Sequence, residues 1–392
     1  MLRRDAETAM IAADLSSLAE KARLWMFDVA LPLWAEKGID ARDGAPFEAL
    51  TLDGGGAAPE TFKRTRVAGR QLYVFSHAAL LGWTPGRAIS DRLYHHMATR
   101  AWRGPEEGWA RRLSPDGEVQ DPTPDLYDYA FALFALGWRH KLTGDREPIT
   151  LAHRTLDLIE TRFRHPLGGF LHEAPAPPPR QQNPHMHLIE AALVLAESTG
   201  EARFAELADE VRDLFIHRIV RMPDGVLPEF FHEDWSPVAG DKGRWIEPGH
   251  QMEWAWILNR HQVLSGADNT IVIRALMTWA ERHGRDPQHG WLRNGVRDDG
   301  LVLDGGSRAW PNTERIKGHL AMQERFGTDA TAAVGESVDT LFRWHLSGAA
   351  PGAWQDAYDS SGAPLTPTAP ASTLYHVFLA FSELLRIAEE RP

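Results

Sequence analysis

The chain has 392 residues, with 42 Lys+Arg against 54 Asp+Glu, a formal charge of −12 before any histidine is protonated. That sign excludes a nucleic-acid binder that works by neutralising phosphates. The absence of cysteine removes disulfides, thiolate catalysis, zinc fingers and iron–sulfur clusters. With 43% apolar and 24% charged residues the composition is that of a soluble globular protein. The longest apolar stretch, around Tyr129–Trp138, is too short to span a bilayer. The opening MLRRDAETAM develops no apolar core of a signal peptide. A cytoplasmic protein without a membrane or nucleic-acid partner is expected.

Helical patterns dominate, with apolar residues three and four apart over Ala6–Lys37, Leu126–Leu142, Met186–Ser198 and Ser372–Ala388, and few segments read as strands. A recurrent phrase punctuates them: GWTPG at Gly82, LTGDRE at Gly144, STGEAR at Gly200, LSGADN at Gly266 and RFGTDA at Gly327. Each combines a glycine that ends one helix in the left-handed region with a Thr, Asp or Asn suited to capping the next. The glycines are 62, 56, 66 and 61 residues apart, a period that gives about six units over this length. Between units lie long Pro/Gly-rich stretches at 44–63, 104–124, 165–183, 222–248, 286–309 and 348–370. Alternating short and long connections predict an all-α fold, an (α/α)6 barrel of six helical hairpins in one domain over 1–392. The long loops gather at one end as a mouth. Trp235, Trp245, Trp291 and Trp354 within them mark ordered, functional loops.

Counting back from each glycine by one helix length meets a polar group. Arg70, Asp128, His187, His250 and Glu314 lie 12, 16, 13, 16 and 13 residues before their glycines, and His376 takes the matching place in the last unit. At 1.5 Å per residue these are roughly 18–24 Å of helix, which puts all six near the long-loop end. If these helices form the inner ring, the six groups converge on one mouth. Taken singly, each has a structural reading: a surface ion pair for Arg70, a helix-start carboxylate for Asp128, satisfied core histidines, an exposed charge for Glu314. Three histidines in one phase of the repeat favour a site.

His187/Glu190 and His250/Glu253 each place a carboxylate on the helix face of its histidine. The pairs suit histidines tuned for proton transfer better than a metal centre, since matching carboxylate ligands are not evident. His185 and His187, two apart, point in different directions. No phosphate-binding loop, dinucleotide fingerprint or nucleophile elbow is present. DGGG at 53–56 reads as a turn, and Lys63, Arg64 and Arg66 cluster at one edge only. The ligand reads as neutral and polar, and Trp and His at the mouth suit an unphosphorylated sugar.

GRQLYVFS (69–76), DLYDYAF (125–131), RQQNPHMHLIEA (180–191), EPGHQMEWAWIL (247–258), RAWPNTERIK (308–317) and PASTLYH (370–376) resemble the N-acylglucosamine 2-epimerase superfamily, in order from about residue 64 to 380. NPHMH, PGHxxE and WPxTE are most similar to its bacterial mannose isomerase branch. The resemblance implies an (α/α)6 barrel and chemistry on a free monosaccharide without cofactor or metal. It also implies that His250 and His376 are the acid/base pair and that Arg70, His187, Glu253 and Glu314 line the site. The implied reaction is aldose–ketose isomerisation, D-mannose to D-fructose. His376 would take the C2 proton to give a cis-enediolate, beside the fixed charge of Arg70. Return of the proton at C2 from the opposite face by His250 would make a 2-epimerase, and the residues alone leave both outcomes open. An (α/α)6 glycoside hydrolase using Glu253 and Glu314 and a non-catalytic binding protein are the readings from other classes. Monomer and homodimer are both compatible with the sequence.

Overall fold

The computed structural model describes residues 14–54, 56–347 and 350–389. The part of the first expected helix before residue 14 lies outside them. The chain alternates outer and inner helices. An outer α1 (Leu15–Leu24) continues through a turn of π-helix at Trp25–Ala30 into α2 (Leu31–Lys37), and the inner α3 (Thr65–Leu80) follows. Next come outer α4 (Pro85–His96), inner α5 (Leu126–Thr143), outer α6 (Glu147–Arg162) and inner α7 (Asn183–Thr199). Outer α8 (Ala202–Leu214), inner α9 (Pro248–Ser265), outer α10 (Thr270–Gly284) and inner α11 (Ala309–Phe326) repeat the pattern. Outer α12 (Thr331–Thr340) and inner α13 (Ala371–Glu389) complete it.

Each inner helix packs on the next, and α13 packs back on α3, which closes an (α/α)6 barrel. Five hairpins turn at the glycines. The sixth pair joins the two ends of the described chain, where α13 lies on α1 and Phe381 meets Trp25 edge-on at 6.0 Å. Burial explains why the two rings differ in pattern. α10 buries one stripe, Val272, Ile273, Leu276, Met277 and Ala280, whereas α9 is buried without a break from Pro248 to Asn259. An inner helix is covered by its outer partner, by two inner neighbours and by the packed axis, so its amphipathic period fades. Each large apolar side chain fully buried this way contributes about 1.5–3 kcal/mol.

Gly144, Gly200, Gly266 and Gly327 cap α5, α7, α9 and α11 with φ of 74°, 71°, 76° and 66°, the left-handed region that glycine adopts without a Cβ clash. The expected capping of the following helix is only partly seen. Asp268 and Asp329 accept from the N–H groups of Thr270 and Thr331 at 2.9 and 3.0 Å, while α4, α6 and α8 begin without a side-chain cap.

The long loops hold more strand than their sequence shows. Ala49–Thr51 pairs with Thr368–Pro370, and Lys63–Arg64 pairs with Arg112–Leu113. Arg180–Gln181 pairs with Phe230–Phe231, Trp245–Ile246 with Gly295–Arg297, and Ser307–Arg308 with Ala357–Tyr358. A single bridge, Asp125 to Glu173, joins the second loop to the third. Every long loop is therefore hydrogen-bonded to its neighbours, and the six form a collar around the mouth. No helix among the described residues is long and apolar enough to cross a membrane.

Candidate active site

The first two turns of the inner helices bring the expected residues together at the axis beneath the collar. Arg70, His187, His250, Glu253, Glu314 and His376 are all buried. Ligand atoms of Glu253, Glu314 and His376 lie within 4.8 Å of one another, and so do those of His187, Glu190 and Glu253. His376 donates Nδ1–H to Glu314 at 2.8 Å, which leaves Nε2 with its lone pair. His250 donates Nδ1–H to Glu229 at 2.9 Å, and Gln182 donates to the second oxygen of that carboxylate at 2.8 Å. Gln182 is itself fixed by Trp254 Nε1 at 2.7 Å. His187 donates to Glu190 at 3.2 Å, a carboxylate that also accepts from the Tyr375 hydroxyl at 2.6 Å.

Trp310 lies between the two principal histidines, its ring centroid 4.9 Å from that of His250 and 5.5 Å from that of His376. Gly249 makes the approach possible: a Cβ there would stand 2.7 Å from the Trp310 ring. Arg70 donates to the Tyr127 hydroxyl at 2.6 Å and to the Ser372 carbonyl at 3.3 Å, with its guanidinium 4.3 Å from the Phe131 centroid. It is held in place by an aromatic cage, with no carboxylate paired to it among the described residues.

Asp128 does not join the site. Its carboxylate accepts from the backbone N–H and guanidinium of Arg66 at 2.7 and 2.8 Å, an ion pair that ties α3 to α5. His185 points away from the axis into the third loop, where Nε2 accepts from the Phe170 N–H at 3.0 Å. Burial drives its pKa down to about 3, so it is a neutral core residue.

The electrostatics separate the two histidines. Burial pushes His250 down, but Glu229 and then Glu247 more than offset it and hold its pKa up at about 9. Burial pushes His376 well below 6.5, and the positive charges of Arg70 and Lys317 act in the same direction. Near neutral pH His250 is an imidazolium and His376 a free base. Beside them, fully buried Lys317 lies 2.6 Å from Glu314 and 3.9 Å from Glu253. Neither carboxyl oxygen of Glu253 has a hydrogen-bond partner among the described residues. Burial and the neighbouring Glu314 raise its pKa well above 4.5, which favours the protonated acid. The carboxylate pair has metal-ligand spacing, and the Lys317 ammonium brings to it the positive charge that an ion would supply.

Above this floor a cavity of about 460 Å3 opens between the second and third loops, lined by Arg64, Arg66, Arg70, Tyr127, Gln181 and Asn183 among others. Two of the three arginines are matched: Arg64 with Glu48 at 2.6 Å, and Arg66 with Asp125 and Asp128 at 2.8 Å each. Of the three arginines lining this cavity, Arg70 is the one that no carboxylate pairs among the described residues.

The family profile described as N-acylglucosamine 2-epimerase (GlcNAc 2-epimerase) matches residues 47–380. The chain belongs to that family. Among its relatives, a mannose-6-phosphate isomerase of Rhizobium meliloti (strain 1021) is 35% identical over 376 residues, covering 92% of this chain and 95% of the relative. A D-mannose isomerase of Thermobifida fusca is 28% identical, covering 82% and 89%. The structure of cellobiose 2-epimerase from Spirochaeta thermophila DSM 6192 superposes with a TM-score of 0.84 at 27% identity, over 96% and 97% of the two chains. The chain is an enzyme of the isomerase class, and its barrel is that of the N-acylglucosamine 2-epimerase family.

Sequence reasoning missed Glu229, Gln182, Trp310 and Lys317. Glu229 and Gln182 reach the axis from loops, where no helical phase marks them. Lys317 had a signal: it lies three residues after Glu314 and so on the same helix face.

Proposed function

We propose that the protein is an aldose–ketose isomerase of an unphosphorylated sugar, D-mannose to D-fructose, acting in the cytoplasm without metal or cofactor. The observation that carries the reading is the pair of histidines across Trp310, each oriented by a carboxylate, one charged and one neutral. The sugar lies over Trp310 with C1 and C2 toward the histidines. His250, as the imidazolium, gives a proton to the ring oxygen as the pyranose opens to the aldehyde, and the O1–H proton released in the same step returns to His250 through solvent. His376 Nε2 then takes the C2 proton. The C2–H pair becomes the C1=C2 bond of a cis-enediolate, and the carbonyl pair moves onto O1. The unpaired guanidinium of Arg70 stabilises that oxyanion, a preorganised charge in a dry site. His376 returns the proton to C1 while the O2 proton passes to O1, and the ketose results with no net change in protons.

A second reading is supported by the proton on His250. Delivered to C2 from the face opposite His376, it would give the 2-epimer instead. Glu253 and Glu314 do not form the acid-and-nucleophile pair of a glycoside hydrolase, because Glu314 is committed to His376 and Lys317.

With Arg64 and Arg66 matched by carboxylates and Arg70 placed to meet the enediolate, no further unpaired arginine among those lining the cavity is left for a phosphate, which supports a neutral sugar over a sugar phosphate. Rates on D-mannose and D-mannose 6-phosphate test this. A larger kcat/KM on mannose is expected, and a larger value on the phosphate would overturn the substrate assignment.

A further inference from the structure

Of the charged groups at the axis, the mechanism leaves Lys317 without a task. It is fully buried, its ammonium lies 2.6 Å from Glu314, and it packs 4.2 Å from the centroid of the Trp256 ring, beneath the floor of the site. An unbalanced ammonium in such a place would cost several kcal/mol, so its pairing with Glu314 is a fixed feature of the folded site. The two histidines meet their carboxylates in the same way, Nδ1–H to oxygen at 2.8 and 2.9 Å. The carboxylates differ in what stands behind them. Glu314 has the Lys317 ammonium. Glu229 has the neutral amide of Gln182, and no Lys or Arg pairs with it among the described residues.

We propose that Lys317 is a positioning residue that decides which histidine is the base: by balancing Glu314 it stops that carboxylate from drawing a proton onto His376, while unbalanced Glu229 keeps one on His250. The proposal rests on the reading of His376 as the base. The groups that face His376 agree with it. α3 brings Arg70, α7 brings His187, whose partner is Glu190, α9 brings His250 and Glu253, and α11 brings Glu314 and Lys317. On α13 itself Tyr375 is committed to Glu190. The charged residues of α1, Glu20, Lys21 and Arg23, lie on its solvent side. Without Lys317, Glu314 keeps the His376 imidazole and the neutral Thr313 hydroxyl at 3.3 Å, as Glu229 has His250 and the neutral amide of Gln182, the arrangement that holds His250 charged.

The test is Lys317→Met, read as the pH dependence of kcat/KM on D-mannose and as the titration of the His376 imidazole by 15N NMR. The acid limb of the profile and the His376 midpoint should both move up by about one pH unit or more, with activity regained as the pH is raised. Lys317→Met combined with Glu314→Gln, which removes both charges, should bring the limb back toward its starting pH. A Lys317→Met enzyme slowed equally at every pH, with the limb and the midpoint unmoved, would overturn the proposal. Should that variant not fold, the unmodified enzyme decides: His376 neutral and His250 charged at pH 7 supports it, and His376 charged at pH 7 sinks it. The imidazole titration needs no sugar. Failure of the underlying reading of His376 as the base would show separately, as C2 exchange that survives His376→Gln.

Discussion

Replacing Glu229 by Gln keeps the shape of the side chain and its contact with Gln182 but removes the charge that protonates His250. The pKa of His250 stands at about 9 against an ordinary 6.5. That rise corresponds to about 3 kcal/mol favouring the imidazolium. With Glu229 neutral, burial alone acts in the opposite direction, so His250 falls to 6.5 or below. At pH 7 the charged fraction then drops from about 0.99 to at most about 0.24, roughly fourfold, and at pH 8 the loss grows to about thirtyfold. The assay is kcat/KM for D-mannose between pH 6 and 9.5, with fructose measured directly. The basic limb should shift from near 9 to below 7, and activity should recover as the pH is lowered. A Glu229→Gln enzyme whose basic limb stays near 9 would refute the assignment of His250 as the acid held charged by Glu229.

Other outcomes follow from the same geometry. Arg66→Ala leaves Asp128 buried without its guanidinium between α3 and α5 and should destabilise the fold by about 3 kcal/mol, read as a lower urea midpoint with unchanged slope. Gly249→Ala forces the Trp310 ring away from α9 and should lower kcat/KM while leaving far-UV circular dichroism unchanged. His185 and His345 are buried and neutral, with burial holding their pKa values down at about 3 and about 4. A pKa depressed on folding means that the unfolded chain binds more protons between the two values. Stability from these residues is therefore complete above 6.5 and is lost as the pH falls toward 4, at about 2 kcal/mol each by pH 5. Denaturant midpoints at pH 7 and pH 5 check this, and an unchanged midpoint would contradict it.

The ring of helices was legible because glycine punctuation does not depend on packing. Gly144, Gly200, Gly266 and Gly327 take positive φ as expected, and the inner helices at Leu126, Asn183 and Ala371 begin within three residues of their predicted starts. The convergence of Arg70, His187, His250, Glu314 and His376 was legible for a related reason. Helices of similar length hung from one ring of turns put equal phases at equal depth. Asp128 shared that phase yet faces Arg66, because phase fixes depth along a helix and not the direction around it. The strand collar was hidden, since two- and three-residue pairings carry no alternation to detect. Glu229 and Gln182 were hidden as loop residues placed by the fold. Lys317 lies three residues from Glu314 in the RAWPNTERIK segment, and sequence alone does not tell a buried ammonium from an exposed one.

The central claim is that His376, neutral and free at Nε2, removes the C2 proton of an unphosphorylated aldose. Proton NMR of D-mannose in D2O with EDTA present, using the unmodified enzyme and His376→Gln, tests it directly. The account predicts fructose from the unmodified enzyme, and neither fructose nor loss of the C2 proton signal with the variant. Exchange at C2 that persists in His376→Gln, or turnover that EDTA abolishes, would contradict it.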